Sequence, residues 1–235
     1  MKAMRRNGRC VTPVLMVVAL AVLAAPARAD DAMDARQLVE KAKLTFESVI
    51  AAPEMDALRD LLKGAKGVFV APQVLRGAFI FGVSGGSGVF FARGERPEQW
   101  NGPAFYTIGE VSFGFQAGAD ASEIVLLAMT NRGVTALLST SVKLGADASV
   151  AAGPVGAGVR AATANLSVDI VTFSRAKGLY GGASVEGAVV APRGAVNAAY
   201  YDREVSPADI LIRGAVSNPH AAPLIELIRK AADAK

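Results

Sequence analysis

The sequence is poor in the side chains that most metal sites and many enzymes require. Its 235 residues include one cysteine, Cys10, and one histidine, His220. Cys10 lies in a predicted leader segment, so disulfides, thiol catalysis and thiolate metal sites are excluded from the rest of the chain. Carboxylates that stand close together along the chain lack the spacing of a calcium loop; they are Asp120 with Glu123 and Asp202 with Glu204. We therefore predict no cofactor and no metal.

The first residues have the pattern of a secretory signal. Basic residues precede an apolar run at 14–25, and Ala27-Arg28-Ala29 then provides a cleavage motif before Asp30. The apolar run is shorter than the about 20 residues that span a bilayer. We expect residues 1–29 to be cleaved and the protein to be periplasmic or secreted, with an uncleaved anchor as the alternative.

Positive charge is in excess only because of this leader. The sequence has 25 Lys and Arg against 21 Asp and Glu. Five of the basic residues and none of the acidic residues lie in 1–29, which leaves 20 against 21, a net charge of −1, for 30–235. A nucleic-acid-binding domain needs an excess of Lys and Arg. No nucleic-acid partner is expected.

The remaining chain is predicted to be a single α+β domain, 30–235. An apolar stripe at helical spacing predicts a helix over 33–50, Pro53 opens a second helix, and 221–233 form a third. Between them, short apolar runs separated by Gly and Ser predict a mainly antiparallel β sandwich or barrel-like sheet. The predicted strands are 67–71, 77–84, 87–93, 104–116, 122–129, 133–138, 142–151, 155–163, 167–173, 179–190 and 194–201. A helical turn starts at Pro207.

The segment FGVSGGSGVF at 81–90 contains the G-x-S-x-G pattern of a nucleophile elbow around Ser84. A hydrolase using Ser84 and His220 is therefore one hypothesis. An elbow requires a helix after the serine, whereas the residues that follow have the pattern of a strand, and a phosphate loop would require a Lys. We instead predict a hairpin turn at Gly85-Gly86, with Gly82 and Gly88 allowing close packing.

Several motifs occur in an order that resembles the SYLF domain family, over about 33–232. They are AKGVFVAP (65–72), GGSGVF (85–90), SFGFQAGAD (112–120), KLGADASVAAGPVG (143–156), SRAKGLYGGASVEGA (174–188) and PADILIRG (207–214). Eukaryotic members bind phosphoinositides and act in membrane remodelling and actin-linked trafficking. For an exported chain, the resemblance implies affinity for anionic phospholipid or another amphiphile, without catalysis.

The predicted lipid contacts are the amphipathic helix over 33–50 and basic residues near that helix and the turns. The basic residues are Lys41, Lys43, Lys63, Lys66, Arg76, Arg93, Arg175 and Lys177. Each Lys or Arg near an anionic surface adds about 1 kcal/mol, and we expect Lys63, Lys66 and Arg76 to form the main patch. The alternative is a structural or partner-binding envelope protein without lipid affinity.

Overall fold

A computed structural model describes residues 12–78, 81–96, 98–113, 118–155, 168–176, 179–181 and 185–234. The helices are α1 (Thr12–Ala51), α2 (Asp56–Gly64), α3 (Asn131–Ala136), α4 (Gly194–Tyr201), α5 (Pro207–Leu211) and α6 (Ala222–Asp233), with 3₁₀ turns at Pro53–Met55 and Pro219–Ala221. The strands are β1 (Gly67–Ala78), β2 (Phe81–Arg93), β3 (Trp100–Phe113), β4 (Gly118–Ala128), β5 (Val142–Lys143), β6 (Val150–Ala152), β7 (Ile170–Ala176), β8 (Leu179–Gly181) and β9 (Val189–Pro192). The predicted α+β class is confirmed.

The described strands form one nine-stranded sheet. Its order is β5-β9-β3-β2-β1-β4-β7-β6, and β8 also pairs with β7. All pairs are antiparallel except β6 with β7. The mainly antiparallel sheet, flanked by N-terminal and C-terminal helices, is as predicted.

Both faces of the first half of β1 are buried. Val68 and Val70 point towards the helices, whereas Phe69 and Ala71 belong to a second cluster on the opposite face. Successive side chains of a strand point to opposite faces, so a strand covered on both sides must be apolar at every position. This explains the unbroken run GVFVA in the sequence. We call the two sides the helix face and the inner face.

Helix α1 packs with its apolar stripe on the helix face of the sheet. The stripe is buried at every position from 35 onward: Ala35, Val39, Ala42, Phe46 and Val49. Leu224 and Ile228 of α6 belong to the same cluster. The stripe that predicted an amphipathic helix is therefore core. In the part of α1 whose side chains are described, residues 29–51, exposed side chains such as Lys41 and Leu44 lie beside the stripe.

Two predicted strands are helices in the structure. The segment predicted at 133–138 lies largely in α3, where the Thr130 side chain accepts a hydrogen bond from the Gly133 amide and caps the first turn. The segment predicted at 194–201 is α4, whose Asn197 side chain exchanges hydrogen bonds with both backbone groups of Phe105 in β3. That tertiary contact outweighs the local strand preference of Val and Tyr.

Other predicted strands differ in extent. In their described residues, the segments predicted at 142–151 and 179–190 contain short strands: β5, the start of β6, β8 and the start of β9. The segment predicted at 155–163 lies outside the described residues apart from its first position.

The predicted hairpin turn at Gly85-Gly86 is wrong. Strand β2 runs through both residues, and Gly86 pairs with Val74 on one side and Ile108 on the other. Close packing is found at Gly88, as predicted, and also at Gly86, whereas the surroundings of Gly82 lie outside what the structure describes. A β-carbon on Gly86 would overlap the Gln73 carbonyl oxygen. This approach occurs where β1 is irregular between Val70 and Gln73.

Asp169 is a buried carboxylate that joins three segments. It accepts hydrogen bonds from Thr130 Oγ1 at 2.6 Å, from Ser149 Oγ at 2.8 Å and from the Ser149 amide at 3.0 Å. The Thr130 hydroxyl, then the two Ser149 donors, hold the pKa of Asp169 below its ordinary value against the opposing effect of burial. Asp169 therefore ties the start of α3 and the start of β6 to β7.

We expect Asp169→Asn to lower the free energy of unfolding much more at pH 7 than at pH 3. Because the folded pKa is depressed, the carboxylate stabilises the fold above the unfolded pKa of about 3.9, and this contribution is lost as the pH falls through the lower folded pKa. Urea unfolding of both proteins at the two pH values measures the effect. Glu204→Gln, an exposed control, should change neither value. A loss that is equal at both pH values would contradict the assigned role.

Candidate functional site

The structure places the predicted basic residues in three separate regions. Lys41 and Arg175 line one hollow where α1 meets β7, and Lys43 lies on the same helix. Lys63, Lys66 and Arg93 line a hollow of about 490 Å³ at the junction of α2 and β1. Arg76 lies near the other end of β1, and Lys177 lies outside the described residues.

The expected patch of Lys63, Lys66 and Arg76 is therefore not a single patch. Lys66 and Arg76 are ten positions apart along the chain, and β1 spans the positions from Gly67 onward. A strand rises about 3.3 Å per residue, so the two residues are roughly 30 Å apart. This exceeds the about 10 Å over which exposed charges act together at 0.1 M salt. The short distance along the sequence suggested a single positively charged patch, but the extended strand places the two residues at opposite ends of the sheet.

Most of these cations already have partners within the protein. Lys43 pairs with Glu47 at 3.9 Å, Lys63 with Asp60 at 3.1 Å, and Arg76 with Glu110 at 3.7 Å, while Arg175 pairs with Glu123. Among the described residues, the side chains of Lys41 and Lys66 make no such pair. A paired cation attracts an anionic surface less, because the neighbouring carboxylate cancels most of its field.

Arg93 serves the fold directly. Its Nε donates to the Ala65 carbonyl oxygen at 3.0 Å, and its Nη2 reaches the Leu62 and Lys63 carbonyl oxygens. Its guanidinium also stacks on Trp100, 4.7 Å from the ring centroid. Arg93 thus caps the end of α2 and anchors it to β3.

Beyond the helices, the helix face of the sheet continues without cover. Leu75, Val83, Val111 and Val189 on four different strands are 56%, 57%, 68% and 43% exposed. We call this surface the distal face.

Strand register shows that these four side chains share one side of the sheet. Leu75 pairs with Gly85, Gly85 with Gly109, and Gly109 with Val189, which places them in one row. Val83 and Val111 pair with each other in the next row on the same side. Paired residues, and residues two apart on a strand, point to the same face. The face is the one that α4 covers further along β3, where Tyr200 stacks on Phe105.

Glycines make the distal face shallow. A β-carbon on Gly77 or Gly85 would have no heavy atom within 4 Å. Gly77 of β1 and Gly85 of β2 therefore leave the surface low between the exposed aliphatic side chains. On the β3–β9 side, the distal face forms an open groove of about 550 Å³, whose lining includes Val83, Val111, Val189 and Lys143.

Lysines without ion-pair partners in the described part of the chain stand at both margins of the distal face. Lys143 pairs with Val189 in the β5–β9 ladder. Lys41 and the exposed Leu44 line a hollow of about 560 Å³ together with Ala121, which is the register partner of Leu75. The surface therefore has an apolar centre and a lysine on either side.

A family model described as "Ysc84: Las17-binding protein actin regulator" matches residues 109–231, more than half of the chain. The chain belongs to the Ysc84 (SYLF) family. The resemblance drawn from the sequence motifs is thereby confirmed.

Relatives of this Ysc84-family chain are found in animals and fungi. It is 29% identical over 167 residues to SH3 domain-containing YSC84-like protein 1 of Homo sapiens, covering 70% of this chain and 48% of the relative. It is 29% identical over 178 residues to LAS seventeen-binding protein 3 of Saccharomyces cerevisiae, covering 74% and 38%. Protein YSC84 of the same yeast is 30% identical over 178 residues, covering 73% and 37%. The chain thus spans half or less of these relatives, one of which is named as a binding protein.

The structure does not bring Ser84 and His220 of this Ysc84-family chain into a hydrolase arrangement. Ser84 lies within β2 instead of at a strand-to-helix turn, and its partners in register are Glu110 and Arg76. His220 contacts the Tyr200 hydroxyl at 3.3 Å and Glu40 at 3.1 Å, joining the start of α6 to α1. Ser84 is therefore a strand residue on the inner face.

The described residues lack a cluster of metal-ligating side chains and a helix that could span a membrane. No three His, Cys, Asp or Glu side chains in that part of the chain come together as metal ligands. Within the same part, no helix has both the length and the apolar character needed to cross a bilayer.

Sequence reasoning missed the distal face and Lys143. The alternation of Val83, Gly85 and Ser87 with inward-facing residues is present in the sequence, but the predicted turn at Gly85-Gly86 interrupted it. Recognising one unbroken strand from 81 to 93 would have placed Val83 and Gly85 on the same face as Val89. The remaining members of the distal face come from other strands, so only the register identifies them.

Proposed function

We propose that this Ysc84-family protein is a non-catalytic domain that binds anionic phospholipid surfaces through its distal face. The observation that carries the proposal is the uncovered aliphatic surface of Leu75, Val83, Val111 and Val189, with a lysine at each margin that makes no ion pair among the described residues. Exposed contiguous apolar surfaces of this kind are typical of membrane or partner contacts. The lysines favour a surface that is both apolar and anionic.

Simple energetics support a reversible attachment. A Val or Leu side chain gains about 1.5–3 kcal/mol on full burial, so side chains that are about half exposed have about 1 kcal/mol left to gain each. A Lys near an anionic surface adds about 1 kcal/mol. Neither contribution alone offsets the several kcal/mol that association costs. Both the apolar contact and the charge are therefore needed.

The place of action is part of the same proposal. With residues 1–29 removed, the chain would meet phospholipid in the bacterial cell envelope, as a periplasmic or secreted protein. A protein partner on the same face is the second candidate, because one yeast relative is named LAS seventeen-binding protein 3. Vesicle binding separates the two, since a partner-binding face has no reason to prefer anionic lipid.

The test is co-sedimentation with vesicles of phosphatidylglycerol and phosphatidylcholine. We expect Lys41→Glu/Lys143→Glu to weaken binding at least tenfold, which corresponds to about 1.4 kcal/mol. The matched control Lys63→Glu/Lys66→Glu makes the same change in net charge at the α2–β1 junction and should weaken binding less than threefold. Raising the salt should weaken wild-type binding, because exposed charges are then screened.

Three outcomes would overturn the proposal. The first is a lack of binding to anionic vesicles by the wild-type protein. The second is equal binding to pure phosphatidylcholine, which would remove the role of charge. The third is a reversed order of the two double variants, which would move the lipid contact to Lys63 and Lys66, as the sequence predicted.

A further inference from the structure

The inner face carries a row of polar side chains at the end of the sheet opposite to α2. Glu110, Ser84, Arg76 and Asp120 are register partners across β3, β2, β1 and β4. We call them the polar row. They lie on the reverse side of the sheet from the distal face, because residues 83 and 111 alternate with 84 and 110.

The polar row borders a cavity of about 130 Å³. Its apolar lining includes Val74, Ile108, Ile124 and Val185. The cavity is small beside the open hollows of about 490–560 Å³ elsewhere on the surface, so it suits a small polar group.

Charge in the polar row is mixed. Arg76 Nη2 lies 3.7 Å from a Glu110 oxygen, and the Arg76 side chain is still half exposed. A guanidinium has five N–H donors, so this contact leaves donors available to a second acceptor. Asp120, on the other side of Arg76, is exposed and has no ion-pair partner in the described part of the chain. The row thus offers a guanidinium that can bind an anion, next to a carboxylate that makes no ion pair among the described residues.

This arrangement selects against simple ions. A plain anion that reaches Arg76 is repelled by both Glu110 and Asp120, and a plain cation that reaches Asp120 is repelled by Arg76. A group that carries both charges a few bonds apart satisfies both partners at once. Arg binds phosphate through parallel N–H donors, and a primary ammonium can donate to a carboxylate.

We infer that the polar row binds a zwitterionic group in which a phosphate and a primary ammonium lie a few bonds apart, as in phosphoethanolamine. Arg76 and the Ser84 hydroxyl contact the phosphate, Asp120 accepts from the ammonium, and Glu110 holds the Arg76 fork in place. The group can come from a lipid headgroup or from a free solute. The inference concerns the inner face and does not depend on the distal face.

The first experiment titrates the full chain with O-phosphoethanolamine, ethanolamine and inorganic phosphate, observed by NMR at the Arg side-chain Nε–H signals and by calorimetry. We expect phosphoethanolamine to bind at least tenfold more tightly than either single-charge probe. Asp120→Asn should remove most of this preference over phosphate, and Arg76→Gln should remove the preference over ethanolamine. Glu204→Gln, an exposed control, should leave all three affinities unchanged.

The inference is overturned if inorganic phosphate or ethanolamine binds as tightly as phosphoethanolamine, or if none of the three binds. It is also overturned if Asp120→Asn and Glu204→Gln behave alike while both retain the wild-type unfolding midpoint. If Arg76→Gln lowers the unfolding midpoint, its affinities are left out of the comparison. Asp120→Asn then tests the ammonium contact by itself.

The second experiment distinguishes the two sources of the group. Vesicles of phosphatidylethanolamine and phosphatidylcholine are compared with phosphatidylcholine alone, each with and without soluble phosphoethanolamine. If the protein binds the vesicles that contain phosphatidylethanolamine and soluble phosphoethanolamine inhibits that binding, the group is a lipid headgroup. If the protein binds only the soluble compound, the group is a free solute. Val111→Asp should leave phosphoethanolamine binding intact, so failure of the distal-face proposal and failure of this inference give different results.

Discussion

Replacing Val83 and Val111 with Asp is expected to weaken binding to phosphatidylglycerol vesicles at least thirtyfold. The two side chains are register partners at the centre of the distal face and are 57% and 68% exposed. The change removes about 2 kcal/mol of apolar contact, and it places two carboxylates against an anionic surface. Because both residues already face solvent, the folded structure should be retained. Co-sedimentation over a range of lipid concentrations measures the affinity.

Ile212→Asp is the matched control for this variant. Ile212 is 53% exposed and lines the hollow that also contains Lys63 and Lys66. It is therefore a similar aliphatic side chain on a different surface, and its replacement should change vesicle binding less than threefold. If Ile212→Asp abolished binding while the double variant bound normally, the lipid contact would lie at the α2–β1 junction instead of the distal face.

Gly86→Ala is expected to lower the free energy of unfolding by about 2–3 kcal/mol, the usual cost of forcing atoms into a packed site. The added methyl group would overlap the backbone oxygen of Gln73, which cannot move aside as a side chain can. The neighbouring Gly85→Ala provides a control in the same strand, because its methyl group would enter open space. Replacing a strand glycine there should be neutral within about 0.5 kcal/mol.

Chemical denaturation of the two variants measures the difference. Equal stabilities for Gly86→Ala and Gly85→Ala would contradict the close approach of β2 to the irregular part of β1. Loss of stability in Gly85→Ala alone would favour the turn that the sequence suggested at these glycines.

The elements that the sequence predicted well are those with a strong local pattern. The stripe of α1 repeats at helical spacing over several turns, so its buried face follows from the sequence alone. The apolar run of β1 likewise predicts a strand. Helix α3 is short and begins at a local signal, the Thr130 cap, which the predicted strand overlooked, whereas α4 depends on a contact that a local pattern does not contain. For α4, the decisive contact joins Asn197 to Phe105, which is distant in the sequence.

The candidate site was less predictable for a similar reason. The sequence shows which residues are basic, but their partners come from distant strands or helices. Arg76 of β1 pairs with Glu110 of β3, with β2 lying between the two strands. Arg175 of β7 pairs with Glu123 on the neighbouring strand β4. The distal face also combines four strands, so it exists only once the register is fixed. Residue type could be predicted from the sequence, whereas exposure and pairing could not.

The most direct test of the central proposal is the depth of a single probe in the membrane. Cys10 is the one natural cysteine, so a Cys10→Ser background allows an environment-sensitive fluorophore to be attached at Val111→Cys or, as the control, at Ile212→Cys. With phosphatidylglycerol vesicles that contain brominated acyl chains, the account predicts strong quenching of the probe at position 111 and little quenching at position 212. Quenching at position 212 but not at 111, or at neither position, would contradict it.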